Sequence, residues 1–468
     1  MYKTTHSPEE IKEILSRSGH IFFIGIGGVS MSSLAHISIE AGFTVSGSDR
    51  VSSPTTDKLV AAGANVFIGH DAKNVENVDA IVYTAAIPES NPELKAARDA
   101  GIPLIYRADY LGYVMSRYKT RIGISGMHGK STATSMTTGV FMAAKADPTV
   151  VSGAATPELD GYAYRTGADD YFIMEACEYC DSFLSFTPNV AVVLNVEMDH
   201  PDYFKDIEQI KDSFRRYLSI AAGGYAVVNG DDLLSLEVAD GFDGKVVTFG
   251  LGEGADYTAK NIDPSDGFPE FDIYAHGKHF THVKLGVTGD HNIMNALVAA
   301  AVADVCGLEP DAVRIGLESF RGASRRMELR GKVFGKANLF DDYAHHPTEI
   351  KATLGGVLRA VKGRVWCVYQ PHTYTRTAEL FDDFVQSFDG VKTIFSDIYA
   401  AREVNTTGIN SKMLADAVDG AIYIESFEKI AAYLEENVSE GDTVIVMGAG
   451  DIIKLSDMLV KNGENKNV

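Results

Sequence analysis

The 468-residue sequence has only four cysteines and no apolar run that approaches eighteen residues. So few thiols in a chain of this length do not form a disulfide framework. The lack of a long apolar run excludes a membrane-spanning helix, so no membrane insertion is expected. The stretch from Met1 to His20 is polar and lacks the apolar segment of a secretory signal. Together these absences predict a cytoplasmic protein.

Basic side chains are also scarce. Forty-two Lys and Arg residues stand against 64 Asp and Glu residues, which gives a net charge of -22. This charge repels polyanions at long range, so the composition disfavours nucleic-acid binding. A phosphorylated small molecule would therefore have to meet local, preorganised donors.

Cys177 and Cys180 have the C-x-x-C spacing of a redox or zinc site. The other two cysteines, Cys306 and Cys367, do not form a second pair that would complete a four-thiolate zinc site. Reduced, buried thiols are therefore the favoured interpretation.

Short β-rich runs alternate with helical segments along the chain, which is typical of parallel α/β units. The chain is longer than one hydrophobic core allows, and it divides into blocks at 1–105, 106–321 and 322–468. Strands are predicted in all three blocks, at 21–26, 44–46, 79–84, 103–106, 171–174, 190–196, 339–342, 365–369, 393–396, 421–424 and 443–447, with a β-rich stretch at 225–285. A helix is predicted over 292–306, with Gly307 at its carboxyl end.

The most informative stretch runs from Gly126 to Thr132, after a strand-like apolar run and before a helix-like segment. Its glycines let successive backbone N–H groups point inward, and the helix N-terminus adds positive potential. Lys130, expected to be exposed, can reach the outer phosphates of a nucleoside triphosphate, and Ser131 can hold a divalent cation. The spacing departs from the strict G-x-x-x-x-G-K-[ST] pattern, because the first glycine of that pattern would fall at Ile124. The alternative is that this segment is a solvated turn whose likeness to the pattern is due to chance. The predicted ATP-binding loop comprises Gly126, Met127, His128, Gly129, Lys130, Ser131 and Thr132.

A second glycine-rich loop contains Gly25, Gly27 and Gly28 directly after a predicted strand, and Asp49 ends the next strand. This arrangement resembles a dinucleotide fingerprint, in which glycines admit a pyrophosphate and the acid bonds a ribose. The third glycine of that fingerprint is replaced by Ser30. A diphosphate-bearing ligand is predicted, without any requirement for nicotinamide.

Acidic residues lie where two predicted strands end. Glu175 follows one of them, and Asp199 with His200 follows another. The carboxyl edge of a parallel sheet is where ligands bind, and carboxylates near Ser131 would suit magnesium ions that bridge phosphate oxygens. The alternatives are a helix-capping acid at Glu175 and a hydrogen-bonded loop histidine at His200.

Asn292 and Asn295 lie three residues apart on a predicted helix and so share one face, where their amides could read a purine edge. Three further pairs each have a structural alternative: Arg325 and Arg326 as surface charge, Asp341 and Asp342 at a strand end, and His345 and His346 at a turn.

Taken together, these segments resemble the Mur ligase family along nearly the whole chain. The matching segments are Gly25 to Met31, Gly126 to Thr132, Glu175 with Ser182 to Leu184, Asn195 to His200, Gly289 to Ala296, Arg325 with Arg326, Asp341 to Glu349 and Gln370 to Thr377. The resemblance implies an α/β fold of three domains: a Rossmann-like N-terminal domain for a UDP-sugar, a central ATPase domain with a phosphate loop and a mainly parallel sheet, and a Rossmann-like C-terminal domain for an amino acid. The motifs are most similar to those of the member that uses ATP and Mg²⁺ to join L-alanine to the lactyl carboxylate of UDP-N-acetylmuramate, through an acyl phosphate, in peptidoglycan precursor synthesis.

The resemblance also implies roles for individual residues. Lys130, Glu175 and His200 are expected to be catalytic, with Lys130 on the β- and γ-phosphates, Ser131 and Glu175 on one magnesium and His200 on a second. The other candidates are expected to contact adenine or the rest of the nucleotide (Asn292, Asn295, Arg326, Asp342), the UDP-sugar (Gly25, Gly27, Gly28, Asp49), and the amino acid or acyl phosphate (Tyr343, His346, His372, Arg376). A surface salt bridge with Glu379 or Asp382 is the structural alternative for Arg376.

The sequence departs from the family pattern at a few positions. Cys177 and Cys180 replace two acids after Glu175, and Met127 replaces the usual threonine of the loop. Thr373 stands where many members have arginine, so a potential anchor for the amino-acid carboxylate is missing. This puts the amino-acid specificity in more doubt than the reaction type.

Three alternative functions stay open. One is a ligase that recycles a murein tripeptide. As the family is known, such ligases share the His-His-Pro feature but lack the Gln-Pro-His-x-Tyr-Thr-Arg run found here at 370–376. A nicotinamide oxidoreductase would use the first glycine loop and leave the loop of Lys130 unexplained. An inactive nucleotide-binding scaffold is disfavoured because Lys130, Glu175 and His200 are all retained.

Overall fold

The computed structural model describes residues 6–17, 19–201, 203–263, 268–401 and 403–464. Its strands form three sheets of five, ten and six strands, in chain order, and helices cover them. The α/β fold predicted from the alternation of strand and helix patterns is confirmed. The ends of the first and third predicted domains, 1–5 and 465–468, lie outside the described residues.

The first sheet is entirely parallel and has the strand order β3-β2-β1-β4-β5. Its elements are α1 (Pro8–Ser16), β1 (His20–Ile24), α2 (Val29–Glu40), β2 (Thr44–Asp49), α3 (Pro54–Ala61), β3 (Asn65–Ile68), β4 (Ala80–Tyr83), α4 (Pro92–Ala100), β5 (Leu104–Tyr106) and α5 (Arg107–Ser116). β1 lies at the centre and is almost wholly buried, as expected for a parallel strand covered on both faces. The loop after β1 and the end of β2 therefore meet at the same carboxyl edge.

The second sheet has the order β15-β14-β13-β12-β11-β10-β6-β9-β7-β8. Its elements are β6 (Thr120–Ser125), α6 (Lys130–Ala143), β7 (Thr149–Thr156), β8 (Tyr162–Arg165), β9 (Tyr171–Glu175), β10 (Val190–Val193), α7 (Ile207–Ile220), β11 (Tyr225–Asn229), α8 (Leu233–Ala239), β12 (Lys245–Phe249), β13 (Tyr257–Asp263), β14 (Glu270–Ala275), β15 (Lys278–Lys284), α9 (His291–Val305) and α10 (Pro310–Ser319). β6 pairs in parallel with β10 on one side and β9 on the other. The ends of these three strands therefore converge at one edge.

Both faces of the second sheet are covered. In β9, Phe172 and Met174 join one hydrophobic cluster while Ile173 joins another on the opposite face. α9 is apolar almost all round and nearly every residue is buried, because it packs on α6 and on β11, β12 and β13. It ends as predicted, with Gly307 in a left-handed conformation (φ +75) beyond its last turn.

The third sheet has the order β16-β17-β21-β18-β19-β20 and is parallel except for the edge strand β16. Its elements are β16 (Glu328–Val333), β17 (Ala337–Asp342), α11 (Pro347–Ala360), β18 (Val365–Tyr369), α12 (Tyr374–Glu379), α13 (Phe381–Val385), β19 (Lys392–Phe395), α14 (Ser411–Ala417), β20 (Ile422–Tyr423), α15 (Phe427–Asn437), β21 (Thr443–Met447) and α16 (Ile453–Glu464). Asp342 and Tyr369 both pair with Met447 at the strand ends. The loops after β17 and β18 therefore emerge side by side.

Short 3₁₀ segments complete the described fold at Ala72–Val75, Pro157–Leu159 and Tyr179–Ser185. No helix in the described parts of the chain is long and apolar enough to cross a membrane.

Candidate active site

The phosphate loop connects β6 to α6 and is anchored to the end of β10. Gly126 (φ +142) and Gly129 (φ +83) both adopt backbone conformations that favour glycine. A Cβ on Gly126 would lie 2.8 Å from the Cβ of Leu194. The backbone N–H of His128 donates to Asn195 Oδ1 at 2.9 Å, and Asn195 Nδ2 donates back to the carbonyl of His128 at 3.1 Å. The loop therefore has one defined shape, imposed by its glycines and by an asparagine from the neighbouring strand end.

Lys130, the first residue of α6, folds back over the loop. Its Nζ donates to the carbonyl of Met127 at 3.0 Å and pairs with Glu178 at 2.9 Å. Although burial opposes it, the nearby Glu178 carboxylate raises the pKa of Lys130. The expectation of an exposed lysine is wrong, because the side chain is largely buried over the loop and held by an acid that lies 48 residues away in the sequence.

Ser131 and Glu175 meet directly behind the loop. Ser131 Oγ donates to Glu175 Oε2 at 2.7 Å, and the N–H of Gly153 donates to the same oxygen at 2.9 Å. The interpretation of Glu175 as a helix cap is wrong, because its carboxylate accepts from a hydroxyl and a strand amide. Two hard oxygen donors side by side are the kind of ligand that Mg²⁺ takes, so this pair fits a magnesium ion.

His200 lies on the other side of Lys130. Its Nε2 is 3.1 Å from Glu178 Oε1, and its ring packs on Tyr179 with centroids 4.8 Å apart. Glu178 is thus shared by Lys130 and His200, and although burial acts in the opposite direction, the Lys130 ammonium and the hydrogen bond to His200 lower the pKa of its buried carboxyl. Glu178 was not among the predicted residues. The sequence does contain a signal for it: Glu178 is an acid of the family motif that this chain retains, although the acids on either side are replaced by Cys177 and Cys180.

The two cysteines flank Glu178. Burial raises the pKa of the Cys177 thiol to about 12, which keeps it protonated at neutral pH. Cys180 adopts a left-handed backbone conformation (φ +56) inside the 3₁₀ segment. None of the four cysteines, all of which lie in described residues, forms a disulfide.

Asn292 and Asn295 share one face of α9, as their spacing predicts. Asn295 Nδ2 donates to Asn292 Oδ1 at 3.1 Å, and Asn292 Nδ2 donates to the carbonyl of Thr288 at 2.7 Å. A Cβ on Gly129 would lie 3.0 Å from Asn295 Oδ1, so the pair borders the phosphate loop.

Arg376 reaches this site from the third sheet. Its Nε and one terminal nitrogen donate to Asp199 Oδ1 at 2.9 and 2.8 Å, and its other terminal nitrogen donates to His372 Nδ1 at 3.1 Å. Both Arg376 and Asp199 are buried, and the neighbouring side chains of His200 and Arg376 lower the pKa of Asp199 well below its usual range against the effect of burial. The alternative of a surface salt bridge on α12 is therefore wrong. Burial, reinforced by Arg376, lowers the pKa of His372 to about 4, so its ring is neutral at pH 7.

A second group of contacts joins the phosphate loop to α11. The rings of His128 and His346 lie 4.7 Å apart, and His128 pairs with Glu197 and with Glu349. Although burial opposes it, Glu349 and Glu197 raise the pKa of His128 to about 10. Burial lowers the pKa of His346, whose Nδ1 accepts the N–H of Thr348 and caps α11. His346 therefore does have a structural role, but it also lies at the interface with the loop.

Arg326, Asp342 and Tyr343 line the same side. The Arg326 guanidinium lies 3.6 Å from Glu349 and 5.4 Å from the centre of the Tyr343 ring. Asp342 accepts the N–H groups of Met327 and Ala344, each at 2.8 Å. Burial raises the pKa of Asp342 to about 6, with Arg326 acting in the opposite direction.

The glycine loop of the first sheet forms a site of its own. The N–H of Gly27 donates to Asp49 Oδ2 at 2.9 Å, and Gly25 has a positive φ of 79. A Cβ on Gly27 would lie 2.9 Å from the same carboxylate oxygen, and Gly28 is the N-cap of α2 without a capping side chain. The four residues predicted for this loop are therefore adjacent, with the helix N-terminus open to an anion.

The fold thus brings the predicted residues into two groups. The first contains the loop from Gly126 to Thr132 with Glu175, His200, Asn292, Asn295, Arg326, Asp342, Tyr343, His346, His372 and Arg376, and the second contains Gly25, Gly27, Gly28 and Asp49. The first group is drawn from two sheets, which are linked by the contacts of Arg376 with Asp199 and of His346 and Glu349 with His128. Asp199, Glu178, Glu197 and Glu349 complete it.

Family models match three successive segments of the chain. They are described as "Mur ligase family, catalytic domain" over residues 20–119, "Mur ligase middle domain" over 124–303 and "Mur ligase, glutamate ligase domain" over 325–450. Two relatives are each 44% identical and carry the name UDP-N-acetylmuramate–L-alanine ligase. The protein of Clostridium novyi aligns over 94% of this chain and 97% of its own length, and that of Clostridium acetobutylicum over 96% and 99%.

Solved structures agree in fold. The UDP-N-acetylmuramate-alanine ligase of Thermotoga maritima has a TM-score of 0.80 at 26% identity and covers 96% of this chain and 99% of its own. A murein peptide ligase of Psychrobacter arcticus has a TM-score of 0.72 at 23% identity, covering 95% and 99%. The MurF ligase of Thermotoga maritima, solved in complex with ADP, has a TM-score of 0.61 at 16% identity, covering 90% and 96%. With three matching segments in order and near full-length relatives, this chain belongs to the Mur ligase family.

Proposed function

We propose that this protein uses ATP to join L-alanine to the lactyl carboxylate of UDP-N-acetylmuramate. The observation that carries the proposal is the full-length similarity to relatives of that name, combined with a phosphate loop whose His128 contacts His346 of the third sheet's block. In this reaction the carboxylate attacks the γ-phosphate to give an acyl phosphate and ADP. The amine of alanine then attacks the acyl carbon, and the tetrahedral intermediate expels inorganic phosphate.

The nucleotide is assigned to the loop from Gly126 to Thr132. Lys130 would exchange its contact with Glu178 for the β- and γ-phosphates, to which an ammonium group makes charge-assisted hydrogen bonds. Asn292 and Asn295 would contact adenine beside Gly129. Arg326 and Asp342 would contact the nucleotide from the third sheet, so ATP binding would draw on both sides of the interface.

Magnesium is proposed at Ser131 and Glu175, and a second ion at His200. A bound Mg²⁺ would neutralise negative charge on the phosphates. The adjacent oxygens of Ser131 and Glu175 support the first assignment. The contact between His200 and Glu178 supports the second, with Glu178 supplying the oxygen that an imidazole alone lacks.

The amino acid is assigned to the edge after β18. Arg376 would receive the carboxylate of alanine in place of the Asp199 carboxylate that it now binds with two nitrogens. Because His372 Nδ1 accepts from Arg376, the neutral ring carries its proton on Nε2 and can donate there. Tyr343 and His346 would complete the pocket for the amino acid and the acyl phosphate.

The UDP moiety is assigned to Gly25, Gly27, Gly28 and Asp49 in the first sheet. The proposed domains are residues 1–105 for the UDP-sugar, 106–321 for ATP and 322–468 for the amino acid. The reaction would take place in the cytoplasm, where ATP and nucleotide sugars are made.

The test is phosphate release by the purified protein with ATP, Mg²⁺, UDP-N-acetylmuramate and one of alanine, serine, glycine or murein tripeptide. We expect release that requires both UDP-N-acetylmuramate and alanine. Release with the tripeptide instead would make the protein a recycling ligase, and no release with any acceptor would make it a nucleotide-binding scaffold. A change in NADH absorbance on mixing with the UDP-sugar would point to an oxidoreductase.

A further inference from the structure

Two histidines and a glutamate meet where the phosphate loop faces the third sheet. One nitrogen of His128, one nitrogen of His346 and one carboxylate oxygen of Glu197 lie within 4.8 Å of one another. His128 and Glu197 belong to the second sheet's loops, whereas His346 follows β17 of the third sheet. Two imidazoles and one carboxylate form a ligand set used by zinc sites that keep a coordination position open.

One histidine of this cluster carries an unmet polar atom. His128 Nε2 pairs with Glu197 Oε1. Among the described residues, His346 Nε2 has no hydrogen-bond partner, and this atom is buried. A buried polar atom without a partner costs about 1 to 3 kcal/mol. A cation between the side chains would remove that cost.

The ligand side chains are already oriented by neighbours. His128 Nδ1 faces Glu349 Oε1 at 3.3 Å, which is the carboxylate–histidine arrangement that directs the other ring nitrogen toward a metal. The ring of His346 is fixed because its Nδ1 accepts from the N–H of Thr348 at 3.4 Å. Glu197 Oε2 accepts from the hydroxyl of Thr348 at 3.1 Å, which leaves Oε1 toward the histidines. Little side-chain entropy would therefore be lost on binding a metal.

The donor types select a transition metal. Imidazole suits Zn²⁺, Co²⁺ and Ni²⁺, whereas Mg²⁺ prefers oxygen ligands and would favour Ser131 and Glu175. A tetrahedral ion with bonds of about 2.0 to 2.2 Å holds its ligands about 3.4 Å apart. To reach that separation the nitrogen of His346 moves inward from at most 4.8 Å, whereas His128 Nε2 and Glu197 Oε1, which are already closer than this, move apart.

We propose that His128, Glu197 and His346 form a site for a divalent transition metal that bridges the phosphate loop and the C-terminal block. The ion lies between His128, Glu197 and His346, and Glu349 holds the ring of His128 in place. A bound ion adds a link between two parts of the chain, so it stabilises their closed arrangement. The site is distinct from the oxygen ligands assigned to magnesium, and its occupation needs no ATP, UDP-sugar or amino acid.

The test is titration of the full-length, metal-free protein with Co²⁺ in a large excess of Mg²⁺, followed by visible ligand-field absorption. We expect one equivalent of Co²⁺ in a tetrahedral or five-coordinate environment, displaced by Zn²⁺. His346→Asn and Glu197→Gln should each remove this equivalent. Glu349→Gln, which changes only the orienting carboxylate, should weaken Co²⁺ binding by about 10- to 100-fold.

Two control variants separate this site from others that carry histidine. His279 and His282 lie beside Asp272 on the exposed hairpin of β14 and β15, and the double variant His279→Asn/His282→Asn should keep the equivalent. His200→Ala should also keep it. Circular dichroism of each variant shows whether it is folded.

Absence of tight Co²⁺ binding by the native protein would overturn the proposal. The proposal would also be overturned if a folded His346→Asn variant still bound one equivalent of Co²⁺ while the His279→Asn/His282→Asn variant or His200→Ala did not. Because metal binding is measured without substrates, the proposal can fail while the ligase activity stands, and the reverse also holds.

Discussion

The glycine loop after β1 and the phosphate loop after β6 share a local design. Each connects the first strand of its sheet, which pairs in parallel with both neighbours, to a helix whose N-cap is a glycine without a capping side chain. Around the first loop, one carboxylate, Asp49, accepts from the backbone of Gly27. Around the second, Lys130 is packed among charged groups contributed by several elements.

This difference indicates that the glycine loop serves to bind a ligand, whereas the phosphate loop takes part in the chemical step. A loop that offers mainly backbone donors suits a pyrophosphate whose charge does not change during the reaction. A loop surrounded by paired charges suits a site where charge moves from one phosphate oxygen to another, because preorganised groups stabilise the charge that develops. Substitutions in the phosphate loop should therefore change kcat, and those in the glycine loop should change the KM for the UDP-sugar.

The largest effect is expected for Lys130→Ala. Loss of the ammonium group should lower kcat for phosphate release by at least about 100- to 1000-fold, the scale of one electrostatic contact to the transition state. Removal of one partner of a buried ion pair also destabilises the fold by about 3 to 5 kcal/mol, here because Glu178 loses its lysine.

Two variants separate these effects. Lys130→Met/Glu178→Gln removes both charges and should recover most of the stability, measured by urea unfolding, without recovering kcat. Lys119→Ala removes an exposed lysine that pairs with Asp170 and should change neither quantity appreciably. Phosphate release near the native rate in Lys130→Ala would disprove the role of the loop.

Arg376→Lys should have an intermediate effect. The guanidinium contacts Asp199 with two nitrogens and His372 with the third, and an ammonium group cannot make all three contacts. We expect the kcat/KM for alanine to fall about 10- to 100-fold, because a hydrogen bond to a charged group contributes about 1.5 to 3 kcal/mol. The KM for UDP-N-acetylmuramate should stay near its native value in the same steady-state experiment. An unchanged alanine KM together with weakened ATP binding would refute this assignment.

Asp49→Ala tests the other half of the comparison. Without the carboxylate that accepts from Gly27, the KM for UDP-N-acetylmuramate should rise about 10-fold while kcat stays unchanged. Asp57→Ala, at an exposed acid of the neighbouring helix α3, is the matched control. If Asp49→Ala lowered kcat at saturating UDP-sugar, the separation of binding from chemistry would fail.

The last prediction concerns the dependence of stability on pH. The carboxylates of Glu349 and Glu197 raise the pKa of His128 from 6.5 to about 10 in the folded protein, against the effect of burial. A raised pKa means that the folded state binds the proton more tightly, so this stabilisation is complete below pH 6.5 and is lost as the pH rises toward about 10. The midpoint of urea unfolding should therefore fall over that range, and it should fall less in His128→Gln. The same slope in both proteins would show that His128 does not contribute.

Local patterns predicted the main features of the fold. β18 is a continuous apolar run of β-forming residues, and the helix α9 has a glycine at its end, so both are visible in the sequence. β3, β8 and β16 were not predicted, because their residues are largely half-exposed and they lie at sheet edges, where alternation is weak. β7 was not predicted either, because a glycine and two alanines interrupt its run of β-forming residues. The phosphate loop was recognisable because glycine, lysine and serine must be close in sequence to surround a phosphate.

The pairing inside the site could not be predicted in the same way. Arg376 and Asp199 are 177 residues apart, and Lys130 and Glu178 are 48 apart. Such pairs depend on which strand ends meet at one edge and on how two sheets face each other. The family resemblance supplied the residues, but their contacts follow from the packing.

The most direct test of the central claim is an isotope measurement with UDP-N-acetylmuramate that carries ¹⁸O in its lactyl carboxylate. If the carboxylate attacks the γ-phosphate in the site around Lys130, one of its two oxygens leaves with the phosphate when the amine of alanine attacks. Mass spectrometry should then find one ¹⁸O atom in each inorganic phosphate released, in an amount equal to the amide formed. Amide formation with unlabelled phosphate would contradict the account, because the carboxylate would not have been activated as an acyl phosphate.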